Sequence, residues 1–112
     1  MREIRGRVKK GEQRGKILGF PTANITIRTF FPQGIYLSRT KVAGIFYPSL
    51  TFIGEQAETY ILDFSGDLYH RWIRVELIKK IRDSKKFKSD QALIEQIKKD
   101  ELVARKFFNM VR

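Results

Sequence analysis

The 112-residue sequence contains no cysteine, which removes disulfide staples, thiolate nucleophiles and cysteine-based zinc sites together. Histidine is almost as scarce. His70 is the only one, so a Ser-His-Asp triad would have to be built on it, and no nucleophile motif accompanies it. No apolar run approaches the roughly 20 residues that a membrane-spanning helix requires. The start, Met1-Arg2-Glu3-Ile4-Arg5, lacks the apolar segment of a secretory leader, and a cytoplasmic protein is the expectation. Internal repeats, low-complexity tracts and linkers are missing as well. Acidic residues are few: 12 Asp and Glu stand against 23 Lys and Arg, for a net charge of +11 and a pI near 10.2.

Such an excess of positive charge raises the question of nucleic acid. The basic residues are spread, however, from Arg2, Arg5, Arg7, Lys9 and Lys10 through Arg71 and Arg74 to Lys79–Lys88 and then Lys98, Lys99, Arg105 and Lys106. Spread charge is weak evidence for a duplex footprint and fits a basic surface that attracts small phosphorylated ligands or aids solubility. No specific nucleic-acid partner and no membrane partner are expected, and the chain is expected to be a monomer. With 42% hydrophobic and 31% charged residues, the composition is that of a soluble globular protein. The length predicts one domain over residues 1–112.

The most informative stretch is Gly11 to Ile25, G-E-Q-R-G-K-I-L-G-F-P-T-A-N-I. Its glycines allow backbone N–H groups to approach an anion without a Cβ in the way, and Lys16 brings charge suited to a polyphosphate. Thr22 and Asn24, two neutral oxygen donors one residue apart, suit a magnesium ion shared with substrate phosphates. A turn whose Thr and Asn bond only their own backbone is the structural alternative. A Walker A loop is excluded, because only three residues separate Gly11 from Gly15-Lys16 and Ile17 stands where Ser or Thr is required.

In chain order, Ile4–Val8 reads as a short extended segment, and Thr26–Thr29 as its β-branched continuation beyond the glycine loop. Ile35–Thr40 and Ile45–Ile53 read as strands joined through Val42-Ala43-Gly44, with Pro48 arguing for an edge or a bulge. Thr59–Phe64 and Leu68–Ile78 flank Ser65-Gly66-Asp67, which predicts a hairpin. In the second arm Trp72, Arg74 and Glu76 alternate with Ile73, Val75 and Leu77. After Ser89-Asp90, either of which can cap a helix, Leu93, Ile94, Ile97, Leu102, Ala104, Phe107 and Phe108 follow helical spacing, with Lys98, Lys99 and Asp100 expected outside. Many short strands and one late helix indicate a mainly β protein, a small antiparallel barrel with a C-terminal helix packed on it. Spacing alone does not choose a catalytic carboxylate among Glu55, Glu58, Asp63, Asp67 and Glu76. Glu58 stands out as the residue that opens a strand where a loop ends.

The string R-G-x-x-L-G-F-P-T-A-N-I closely resembles the signature of the riboflavin kinase family. A-E-T-Y-I-L-D-F-S-G-D-L-Y, R-V-E, I-R-D-S-K-K-F and L-I-E-Q-I-K-K-D follow in the family's order, so the resemblance runs from about Ile4 to Phe108. It implies a six-stranded antiparallel Greek-key barrel and transfer of the γ-phosphoryl group of ATP to the ribityl 5′-hydroxyl of riboflavin, giving FMN and ADP with Mg2+ as the metal. It implies that Glu58 is the catalytic base and that Thr22 and Asn24 bind the metal and phosphates. Gly11 and Lys16 would then contact nucleotide phosphate, Ile61, Asp63 and Tyr69 would hold the adenine end, and Arg82, Lys85 and Phe87 would hold the flavin. Three departures are visible: the loop before Glu58 is short, His70 stands where a glycine usually follows the tyrosine, and no adenylyltransferase domain of the larger bacterial members is expected. The alternatives are a basic barrel that stacks nucleic acid on exposed Tyr36, Phe46 or Trp72, and a flavin- or nucleotide-binding module that has lost kinase activity.

Overall fold

A computed structural model describes residues 2–9 and 19–110. Six strands, β1 (Arg2–Arg7), β2 (Ala23–Ile25), β3 (Gly34–Val42), β4 (Ile45–Ile53), β5 (Ala57–Ile61) and β6 (Trp72–Arg82), precede one helix, α1 (Asp90–Phe107). The strands form a single sheet in the order β1-β6-β3-β4-β5-β2, and every paired neighbour is antiparallel. The sheet curls until its two edge strands meet. There the Lys9 amide donates to the Asn24 carbonyl at 2.9 Å in an isolated bridge. Gly6 on β1 permits this approach, because a Cβ at that position would run into Cγ2 of Ile25 on β2. The result is the nearly closed six-stranded barrel, with one helix, that the sequence leads one to expect.

Alternation along the strands sorts the core into two clusters. Ile4, Ala23, Ile25, Tyr36, Ile53, Ala57, Ile61, Ile73, Val75 and Leu77 pack inside the barrel, as expected for the apolar side of β6. Tyr36, a candidate stacking platform from the sequence, is buried here and donates its hydroxyl to the Pro32 carbonyl at 2.6 Å. The interior also holds a string of hydroxyls. Thr40 meets Ser49 at 2.8 Å, Ser49 meets Ser38 at 2.7 Å, Ser38 meets Thr51 at 2.8 Å and Thr51 meets Thr59 at 3.0 Å. All five residues are buried, and their mutual bonds leave none of these hydroxyls without a partner.

Outside the barrel, Ile35, Leu37, Leu50 and Leu62 meet Ala104 of α1, with Phe52, Tyr60, Ile81, Phe108 and Met110 around them. Ser89 caps the helix, its Oγ accepting the Ala92 amide at 3.2 Å. At the other end Asn109 adopts φ +55°, and the amides of Asn109 and Met110 bond back to Lys106 and Arg105 at 3.1 and 2.8 Å, the arrangement that satisfies a helix's last carbonyls. The buried helix positions are Ile97, Asp100 and Ala104. Leu102 and Phe107, expected on the packed stripe, are instead 62% and 50% exposed. Leu102 sits about 140° around the helix from Ile97, too far to share its face.

Other sequence expectations are corrected by topology. The Ala43-Gly44 turn forms, with both residues at positive φ as a tight hairpin requires. The hairpin expected at Ser65-Gly66-Asp67 does not, because β5 pairs with β4 and β2 whereas β6 pairs with β1 and β3. Residues 62–71 instead cross the barrel mouth, and the His70 amide donates to the Val8 carbonyl while Arg71 accepts the Val8 amide, both at 2.8 Å. The local turn still forms, and Asp67 Oδ1 accepts the Tyr69 amide at 2.9 Å. A reversal signal says nothing about which strand the returning chain joins. Residues 26–29 do not extend β2. Pro48 lies in a central strand, but just beyond the end of β5 pairing at Ser49↔Ile61, so its missing N–H falls where no ladder partner is needed.

Candidate functional site

The site is organised by the short pairing of β2 with β5, whose register sets Ala23 against Thr59, Asn24 against Glu58 and Ile25 against Ala57. Since Ala23, Ile25, Ala57 and Ile61 face the barrel interior, Asn24 and Glu58 lie opposite each other on the other side of the two strands. Asn24 is only 6% exposed and Glu58 is half-buried. Tyr60 comes next on the same side of β5. Its ring receives Phe20 edge-on, with centroids 5.7 Å apart, which fastens the segment leading into β2 onto β5. The Tyr60 hydroxyl donates to Glu101 Oε1 at 3.1 Å. Burial, then the negative charge of Glu101 and this bond to it, push the Tyr60 hydroxyl up to about 12.

On the barrel side, a cavity of 390 Å3 is lined by Thr22, Thr59, Ile61, Phe64, Asp67 and Tyr69 among others. Its size falls within the range of small-molecule sites. Thr22, Ile61 and Tyr69, three of the residues singled out for nucleotide binding, therefore share one cavity, and residues 21–24 pass from its wall directly to the Asn24–Glu58 pair. Asp63 is not in the lining. It takes φ +55° and accepts two bonds from the Arg105 guanidinium of α1, at 3.0 and 2.7 Å. Arg105 also donates to Glu101 at 2.8 Å, and these bonds to two carboxylates hold its proton more firmly than usual.

Arg82, at the end of β6, is also engaged. Its Nε and Nη2 donate to the two carboxylate oxygens of Asp100 at 2.9 and 2.7 Å, and its Nη1 donates to the Asp83 carbonyl at 3.1 Å. Asp100 is buried and receives a third bond from Gln96 at 3.0 Å. In the following segment, the cations of Arg82 and Lys85 lie 6.0 and 5.4 Å from the Phe87 ring centre. Gly11 and Lys16 lie outside the described residues. The structure thus brings Asn24 to Glu58, and Thr22 to Ile61 and Tyr69, while Asp63 and Arg82 are tied to α1. Phe20, Tyr60, Asp100, Glu101 and Arg105 were not singled out from sequence. Asp100, expected on the outer face with Lys98 and Lys99, is instead buried, because three residues after Ile97 it lies on the packed side, where Arg82 and Gln96 satisfy its carboxylate. Among the described residues no three His, Asp or Glu gather as a metal site, and no helix is long and apolar enough to cross a membrane.

Comparison with known proteins places this architecture. The family model described as Flavokinase: Riboflavin kinase matches residues 2–108. The bifunctional riboflavin kinase/FMN adenylyltransferase of Escherichia coli strain K12 is 38% identical over 121 residues, covering 97% of this chain and 39% of that protein. That alignment is longer than the chain itself, so the relative carries residues with no counterpart here. The chain spans about two fifths of the length of the curated relatives it matches first. Among solved structures, a Streptococcus pneumoniae chain titled a macrolide-efflux protein superposes with a TM-score of 0.85 at 34% identity, covering 92% of this chain and 38% of that one. Riboflavin kinase from Trypanosoma brucei superposes with a TM-score of 0.69 at 28% identity, covering 96% and 80%.

Proposed function

Because the chain belongs to the riboflavin kinase family, we propose that it transfers the γ-phosphoryl group of ATP to the ribityl 5′-hydroxyl of riboflavin, producing FMN and ADP. The observation that carries this reading is the cross-strand pair of Asn24 and Glu58, joined through residues 21–24 to the cavity containing Thr22, Ile61 and Tyr69. In this assignment the adenine end lies in the cavity against Ile61 and Tyr69, and the phosphates run along Thr22 towards Asn24. Gly11 and Lys16 are assigned to the phosphates from the sequence resemblance. Thr22 and Asn24 offer neutral oxygen donors of the kind a magnesium ion takes alongside substrate phosphates. When bound, that ion neutralises phosphate charge.

Glu58 serves as the base. It stands across from Asn24 on a hydrogen-bonded strand, so its position is fixed by β5 rather than by a loop. It accepts the proton of the attacking hydroxyl as the oxygen moves in line with the transferring phosphorus. The segment of Arg82, Lys85 and Phe87 takes the flavin, with the Phe87 face available to the ring system. The direct test is to incubate the purified chain with riboflavin, ATP and magnesium and to separate the flavins by chromatography. Accumulation of FMN that requires all three supports the assignment; absence of FMN with a folded chain refutes it.

A further inference from the structure

Two segments of the proposed site are anchored to the same helix by ion pairs, one at Asp100 and one at Arg105. Arg82, where β6 gives way to the Lys85–Phe87 segment, is gripped through two of its nitrogens by Asp100. The pair is sequestered, with side-chain exposures of 18% and 3%. Five residues further along α1, about 140° around the helix, Arg105 grips Asp63, the left-handed residue that launches the Phe64–Tyr69 wall of the cavity. Arg105 is itself braced by Glu101, which also receives the Tyr60 hydroxyl. None of the four ion-paired residues lines the cavity.

Resting on the kinase reading, we propose that α1 is a positioning element with two separable arms. Asp100 sets the Arg82–Phe87 segment for the flavin, and Arg105 sets the Asp63–Tyr69 wall for the nucleotide. The physical reason is the directionality of a forked guanidinium–carboxylate pair, which fixes orientation as well as distance. Arg82 spends its Nε and Nη2 on Asp100 and its Nη1 on the Asp83 carbonyl, so its principal work is to orient the chain that follows. Asp63 likewise offers both oxygens to Arg105, which holds a backbone conformation that L-residues otherwise disfavour.

The test is a crossed kinetic comparison of Asp100→Asn and Arg105→Gln, with Lys98→Ala on the exposed side of the helix as the control. Asp100→Asn should raise the riboflavin KM about tenfold and leave the ATP KM within about twofold; Arg105→Gln should do the reverse. A helix that merely stabilises the barrel predicts lowered melting temperatures with both KM values unchanged per folded molecule, and that result overturns the proposal. Equal rises in both KM values for either variant overturn it too. If Asp100→Asn does not fold, Gln96→Leu, which removes one bond to Asp100 and keeps the ion pair, should give a smaller rise confined to riboflavin. No change there counts against the flavin arm. Binding of riboflavin, followed by its fluorescence, and of ADP, followed by calorimetry, repeats the comparison without turnover. A selective loss in binding with no FMN formed by the parent chain would sink the kinase reading and leave the two arms standing.

Discussion

Replacing Gly6 by Ala tests the closure of the barrel. Elsewhere in a strand this change removes unfolded-state freedom and stabilises by about 0.4–1 kcal/mol when the new side chain fits. Here the added Cβ meets Cγ2 of Ile25 well inside van der Waals contact. Ile25 is fully buried and β-branched, so its χ1 is restricted and its methyl moves aside only at a cost. Reaching ordinary separation requires β1 or β2 to move by about an ångström, and overpacking of this kind costs about 1–3 kcal/mol. With an unfolding entropy of about 0.24 kcal/mol per kelvin for a chain of this size, the melting temperature should fall by about 4–13 °C. Ile25→Ala alone should cost about 2–5 kcal/mol through the cavity it leaves. Combined, the two changes should cost at least about 1 kcal/mol less than their sum, because the new methyl occupies vacated space. Because Asn24 adjoins Ile25, Gly6→Ala should also lower turnover in the riboflavin, ATP and magnesium assay beyond its effect on the folded fraction. A stabilised Gly6→Ala protein, or a double variant additive within about 0.5 kcal/mol, would refute the close approach of β1 and β2.

Glu58→Gln preserves shape while removing the proton acceptor, so kcat should drop by about 100-fold or more with both KM values nearly unchanged, and turnover near the parent rate would place the base elsewhere. Asp67→Asn, which retains the oxygen that accepts the Tyr69 amide, should be mild in the same assay. Tyr60 keeps its proton in the folded chain up to about pH 12 but loses it near 10 when unfolded. The folded state therefore binds more protons in that interval, and this contribution to stability is complete below pH 10 and lost as pH rises towards 12. Denaturation across that range should show a shallower decline for Tyr60→Phe than for the parent. His70 holds φ +67°, so His70→Gly should raise stability by up to about 1 kcal/mol in urea melts, whereas a loss would mean that the imidazole makes a compensating contact.

Much of this architecture was legible because local chemistry and global fold agree. Ser89 caps the helix it precedes, Ala43-Gly44 turns the hairpin it punctuates, and the alternation of Ile73, Val75 and Leu77 predicts the wall that they line. What remained hidden depends on partners distant in the chain. No pattern around Ser65-Gly66-Asp67 reveals that β6 will join β1 and β3. Nothing near Asp63 announces Arg105, 42 residues on, and the pairing of Arg82 with Asp100 spans 18. For the same reason the spread of basic residues along the sequence misdescribes the surface. Arg5, Arg74 and Lys41 are laid side by side by strand register, and the exposed Trp72 and Phe46 are stacked against Arg7 and Arg39.

The hydroxyl string inside the barrel bears on how such a sequence can drift over generations. Each member from Thr40 to Thr59 depends on its neighbour for a buried bond, so a single methyl substitution takes a partner from an adjacent buried oxygen. Replacing the whole string by aliphatic residues of similar volume leaves nothing short and is close to neutral. Intermediate mixtures are the costly ones. Descendants of this barrel should therefore hold these five positions either as a linked set of Ser and Thr or as a set of small aliphatics, changing together at positions far apart in the chain.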